Sequence, residues 1–123
     1  VANLCYTGLV LAAASASVNG SDLDNLSARG ATVVVDITAI TGTTPSLTVT
    51  VEGKDPLSGK YFTLLASAAL TATGTTVLSI GPALTAAANS AANAFVPRIF
   101  RIRATIAGTT PAVTATVGVC LNG

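Results

Sequence analysis

The chain is 123 residues long, enough to bury one hydrophobic core and within the range of a single domain. Half of it is hydrophobic, chiefly Ala and Val, with 3 Phe, 2 Tyr and no Trp, so a core of small aliphatic side chains is expected. Charged residues make up 9% and the formal net charge is +1, which leaves no field to gather nucleic acid or an anionic membrane.

Thr, Ser, Gly and Asn interrupt each apolar stretch before the ~18–20 residues that a spanning helix needs. Residues 1–17 read as an N-terminal strand or arm, with a strand over 6–11. Their apolar part ends in Ala-Ser-Ala-Ser like a signal peptide, but no Lys or Arg precedes Arg29, so export is not expected. Cys5 and Cys120 lie near opposite ends. They are either two small buried side chains or a disulfide, which would contribute about 4–5 kcal/mol through chain entropy. Without His they make no zinc site.

Asn19-Gly20-Ser21-Asp22 breaks the chain. Asp22 and Asp24, with Asn19 and Asn25, have the oxygens a Ca²⁺ ion takes but not EF-hand spacing, so turn formation explains them better. Strands are expected over 31–40 and at Leu47-Thr48-Val49-Thr50-Val51, where apolar residues fall on one face and threonines on the other. Thr41-Gly42-Thr43-Thr44-Pro45 is expected to join these two, and Asp55-Pro56-Leu57-Ser58-Gly59-Lys60 to close a hairpin onto a strand at 61–65. A strand at 75–80 follows. The Ala-rich stretch 82–94 reads as a loop or a short helix opened by Pro82. Strands at 97–106 and Val113-Thr114-Ala115-Thr116-Val117 complete the chain.

The run Gly42-Thr43-Thr44-Pro45-Ser46-Leu47-Thr48-Val49-Thr50-Val51 recurs as Gly108-Thr109-Thr110-Pro111-Ala112-Val113-Thr114-Ala115-Thr116-Val117. Each copy follows one strand and opens another, so two similar hairpins are expected, by duplication or by convergence. The fold expected is a single all-β domain over 1–123: an antiparallel β-sandwich or barrel of about seven strands.

Chemistry is scarce. The absence of His removes Ser-His-Asp and Cys-His systems and the usual general base. Asp36 and Glu52, in strands expected to be adjacent, would face Arg101 or Arg103 structurally. Arg101 and Arg103 share a strand face, opposite Phe100 and Ile102, and with Arg98 form either a solvated face or a docking surface. Neither an enzyme nor a cofactor site is expected.

Asp36-Ile37-Thr38-Ala39-Ile40-Thr41-Gly42-Thr43 and Gly53-Lys54-Asp55-Pro56-Leu57-Ser58-Gly59-Lys60-Tyr61 resemble a family of small structural proteins of tailed bacteriophages. The likeness continues through Thr71-Ala72-Thr73-Gly74-Thr75, Ala86-Ala87-Ala88-Asn89 and Pro97-Arg98-Ile99-Phe100-Arg101-Ile102, and departs at Ile80-Gly81-Pro82 and in the terminal cysteines. The resemblance implies a virion protein assembled in the host cytoplasm. Its expected place is the capsid surface, as a decoration or cement protein, and its expected partners are the major capsid protein and copies of itself in a symmetric oligomer such as a trimer. Neither nucleic acid nor membrane is expected as a partner. Segments 1–17 and 83–94 and the arginines supply the contact candidates: Val1, Leu4, Leu9, Leu11, Leu84, Arg98, Arg101 and Arg103. A neck, tail or fibre component and a surface carbohydrate-binding module are the alternatives.

Overall fold

The computed structural model describes residues 4–25 and 28–122. Their strands are β1 (Leu4–Ala14), β2 (Val18–Asn19), β3 (Leu23–Asp24), β4 (Gly30–Lys54), β5 (Tyr61–Ala66), β6 (Gly74–Gly81), β7 (Ala91–Asn93) and β8 (Ile99–Asn122). All belong to one open 8-stranded sheet, antiparallel except for β6 against β7. The fold is all-β.

Two strands dominate, β4 with 25 residues and β8 with 24, paired along almost their whole length. Drawn straight at ~3.3 Å per residue, each would span about 80 Å. A domain of this size has a radius of gyration of about 14 Å, so the ribbon has to bend. It bends where the repeat lies. Gly42 and Gly108 take φ of 126° and 118°, and Thr44 and Thr110 take 46° and 45°.

The repeat therefore does not make two hairpins. Each copy is a corner inside one long strand, and the two corners pair with each other through Thr43 and Thr109. Around that pair, Thr41 opposite Ala112 matches Ser46 opposite Ala107, and Ile40 opposite Val113 matches Leu47 opposite Ile106. This is a local pseudo-twofold. A Cβ on Gly42 would lie 2.8 Å from the Thr110 carbonyl oxygen, and one on Gly108 would lie 2.7 Å from that of Thr44. The glycines are what let the two backbones cross closely.

On one side of the corner the order is β1, β8, β4, β6, β7; on the other, β2 and β3 flank β8, and β5 flanks β4. The two layers close on a single core. Val33, Val35, Val117 and Val119 come from the first layer, and Leu47, Val49, Val51, Phe100 and Ile102 from the second. Where β1 crosses the second layer, Gly8 leaves room for Ile102, whose Cγ1 would lie 2.8 Å from a Cβ placed there.

The strands expected at 31–40 and 47–51 are thus one strand, as are those at 97–106 and 113–117. The hairpin at 55–60 has the expected turn chemistry. The Asp55 carboxylate accepts from the Ser58 hydroxyl at 2.7 Å and from the Leu57 amide at 3.2 Å, and Gly59 has φ of 72°. Of the two readings of 82–94, the helix does not form. Ala83 and Asn89 both have φ of 62°, which an α-helix excludes, and Ala91–Asn93 is β7. Residues 1–3 of the expected arm lie outside the described residues, and the part from Leu4 to Ala14 is a paired strand. Cys5 and Cys120 face each other across β1 and β8, 4.0 Å between Cα atoms, and are bonded.

Candidate functional site

Two surfaces come out of this geometry. The first is a charged ladder on the outside of the second layer. Register places Arg101 of β8 directly opposite Glu52 of β4, and Arg101 Nε donates to Glu52 Oε1 at 2.8 Å. Both side chains are largely buried, at 16% and 10% exposure. The guanidinium carbon lies over the Tyr61 ring, 3.5 Å from its centroid. The Tyr61 hydroxyl donates to Asp22 Oδ1 at 2.5 Å, and Lys54, opposite Tyr61 in the β4–β5 ladder, reaches Asp22 Oδ2 at 3.2 Å. Glu52, Arg101, Tyr61, Asp22 and Lys54 thus form a continuous chain across β4, β5, β8 and the β2–β3 connection.

Within the network, Asp22 and Lys54 each favour their charged form. The Tyr61 hydroxyl, and after it the Lys54 ammonium, hold the Asp22 carboxyl below its ordinary 3.8, and Asp22 in turn raises Lys54. Since the folded carboxyl titrates below the unfolded one, Asp22 supports the fold above pH ~4 and loses that contribution as pH falls through its lower folded value. Replacing Tyr61 by Phe is expected to move the Asp22 titration, followed by carboxyl carbon NMR, back up toward 3.8. An unmoved midpoint would show that Lys54 alone sets it.

Such an arrangement holds strands together and orders the β4–β5 hairpin. The expected partners of the carboxylates are corrected in one respect: Asp36 and Glu52 lie on the same strand, on opposite sides of the corner. Glu52 takes Arg101, whereas Asp36 accepts from Thr75 at 3.4 Å. The Asn19, Asp22, Asp24, Asn25 group does not converge. Asp24 pairs with Arg98 at 2.6 Å, and buried Asn25 ties Ala28 to Val96 through its amide. No group of three metal-binding side chains occurs among the described residues.

The second surface is the outer face of the first layer. Its rows read Cys5, Cys120, Thr32, Ser79; then Thr7, Gly118, Val34, Val77; then Val10, Thr116, Asp36, Thr75. Val10, Val34 and Val77 are exposed at 62%, 38% and 51%. At the upper end a cavity of about 420 Å³ is lined by Arg29, Thr32, Ser79, Gly81 and Leu84.

The contact candidates divide accordingly. Leu9 and Leu11 point into the core, because β1 alternates and its even neighbour Val10 faces out; they are not surface contacts. Val1 lies outside the described residues, and Leu4 pairs with Leu121 through its backbone. Leu84 and Arg103 are exposed, while Arg98 and Arg101 are committed to Asp24 and Glu52. The exposed apolar residues that the sequence reading missed are Val10, Val34, Leu57, Phe62, Val77 and Phe95. For Val10 the signal was present, since it falls between two core leucines.

Comparison with protein-family models, curated proteins and solved structures returns no match.

Proposed function

We propose that this chain is a bacteriophage virion structural protein that decorates the capsid, binding the major capsid protein and other copies of itself and stabilising the shell. The observation that carries the proposal is the β4–β5 hairpin. The run 53–61, which bears the most specific part of the resemblance, builds it and presents its tip. Gly53 has no side chain, and Phe62 and Pro97 close over it; a Cβ there would lie 2.6 and 2.7 Å from their atoms. Lys54 and Tyr61 enter the charged ladder, so the base of the hairpin is fixed. Leu57 at its tip is 96% exposed, and Phe62 is half exposed. A loop tied at its base and across its turn that holds apolar side chains in water is suited to docking, because part of the ordering entropy is already lost before binding.

Low charge and modest apolar contacts suit a protein that gains affinity through many symmetric copies. The test is densitometry of purified virions against the major capsid protein. Hundreds of copies per particle support capsid decoration. A few to a few dozen would favour a neck, tail or fibre position, and absence from the particle would overturn the virion reading. Leu57→Asp is expected to weaken particle binding at least tenfold without lowering the thermal midpoint of the free protein.

A further inference from the structure

Two polar side chains that the fold leaves without partners open into one cavity. It lies at the upper end of the first layer, where Gly30 and Gly81 each stand one residue beyond the Ala31–Ile80 pair and bring no side chain to fill it. The Ser79 hydroxyl and the Arg29 guanidinium both line it, and neither makes a hydrogen bond or ion pair among the described residues. Thr32, opposite Ser79 in the β4–β6 ladder, lies beside them.

The walls are held in place. Buried Asn25 donates from Nδ2 to the Ala28 and Val96 carbonyl oxygens at 2.8 and 2.9 Å and accepts from the Ala28 amide at 2.9 Å, while the Val96 amide donates to the Arg29 carbonyl at 3.2 Å. One buried side chain thus clamps the segment that carries the arginine. On the other side Ala83 takes φ of 62° and its amide donates to Asn93 Oδ1 at 3.1 Å, which turns the chain so that Leu84 Cδ1 comes within 3.4 Å of where a Gly81 Cβ would lie. A cavity shaped before its ligand arrives loses less on binding.

Charge and size select the ligand. Among the described residues that line the cavity Arg29 alone is charged, and no carboxylate lies there to neutralise it. A single cation matches a singly charged head, and the guanidinium fork fits the two oxygens of a carboxylate, with a serine hydroxyl left to donate as well. At about 420 Å³ the cavity is of small-molecule size and far exceeds what that head alone would occupy. Pro82 and Leu84 supply an apolar wall for the rest.

We infer that this cavity binds a small organic carboxylate, its head held by Arg29 and Ser79 and its aliphatic body laid against Pro82 and Leu84. The inference does not depend on the virion reading. The same head occurs on a free aliphatic acid and at the C-terminus of a peptide, and the experiment separates the two.

Titration of the isotope-labelled full chain with hexanoate, followed by amide NMR shifts, tests it. Saturable shifts at Ser79, Gly81 and Leu84 are expected with a Kd of about 1–10 mM, as the few non-hydrogen atoms of hexanoate allow. Hexanol, which lacks the charge, and inorganic phosphate, which lacks the body, are each expected to bind at least about fivefold more weakly. Arg29→Gln breaks no side-chain bond of the described residues, so it is expected to keep the thermal midpoint and the hexanol affinity while weakening hexanoate at least about fivefold. An acetylated dipeptide acid that binds more tightly than hexanoate would assign the head to a peptide end, and one that binds more weakly would assign it to a free acid. No saturable shift up to ~50 mM, shifts confined to other residues, hexanol or phosphate binding as well as hexanoate, a dipeptide amide binding as well as its acid, or hexanoate affinity untouched by Arg29→Gln would overturn the inference.

Discussion

Replacing both cysteines by serine is expected to lower the unfolding free energy by about 4–5 kcal/mol, the chain-entropy value for so long a closed loop. The bond joins residues 115 apart in sequence, so almost the whole chain is constrained in the unfolded state. Set against the roughly 5–15 kcal/mol that holds a typical domain, this is the largest single contribution we assign. The folded state should change little, since β1 stays anchored by Leu9 and Leu11 in the core. Urea unfolding of the oxidised, reduced and Cys5→Ser/Cys120→Ser proteins checks this. The midpoint should fall in the last two, and the slope should rise as the unfolded chain expands. A midpoint that does not move would mean the unfolded chain is compact enough without the bond.

Gly42→Ala and Gly108→Ala are expected to cost about 2–4 kcal/mol each, through positive φ and a clash combined. The added methyl would meet backbone in both cases: 2.8 and 2.9 Å from the Thr110 oxygen and Pro111 Cα at Gly42, 2.7 and 2.9 Å from the Thr44 oxygen and Pro45 Cα at Gly108. Backbone held in a ladder cannot move aside as the end of a side chain can. Gly59→Ala is the control. Its φ is also positive, at 72°, but nothing lies within 4 Å, so about 1 kcal/mol is expected from conformation alone. Denaturant titrations that gave the same loss at positions 42 and 59 would contradict the close-crossing account. The pseudo-twofold also predicts closely similar losses at 42 and 108.

The alternation in 47–51 and 113–117 was legible because a half-buried strand imposes a two-residue period that depends only on neighbours in sequence. The corner was not legible. Gly-Thr-Thr-Pro is also a turn sequence, and whether it reverses the chain or bends a continuing strand is decided by the second copy lying opposite. Strands β2, β3 and β7 have two or three residues, too few to show any period. In the charged ladder, the shared face of Arg101 and Arg103 followed from strand geometry, but the meeting of Asp22, Tyr61 and Arg101 draws on segments far apart in the chain. Leu9 and Leu11 were readable as core by the same alternation; assigning them to a contact arm overlooked that a paired first strand must bury one face.

The crossed corners also bear on how the sheet avoids its wrong partners. Runs of alternating Thr and Val or Ala can slide past one another by two residues and keep the same face inward, so hydrophobic pattern alone leaves β4 and β8 several nearly equivalent alignments. Only one alignment sets Gly42 against the Thr110–Pro111 backbone and Gly108 against the Thr44–Pro45 backbone at once. Any slide brings a side-chain-bearing residue to both crossings. The repeated motif therefore works as a keyed joint that the two longest strands can close in a single position.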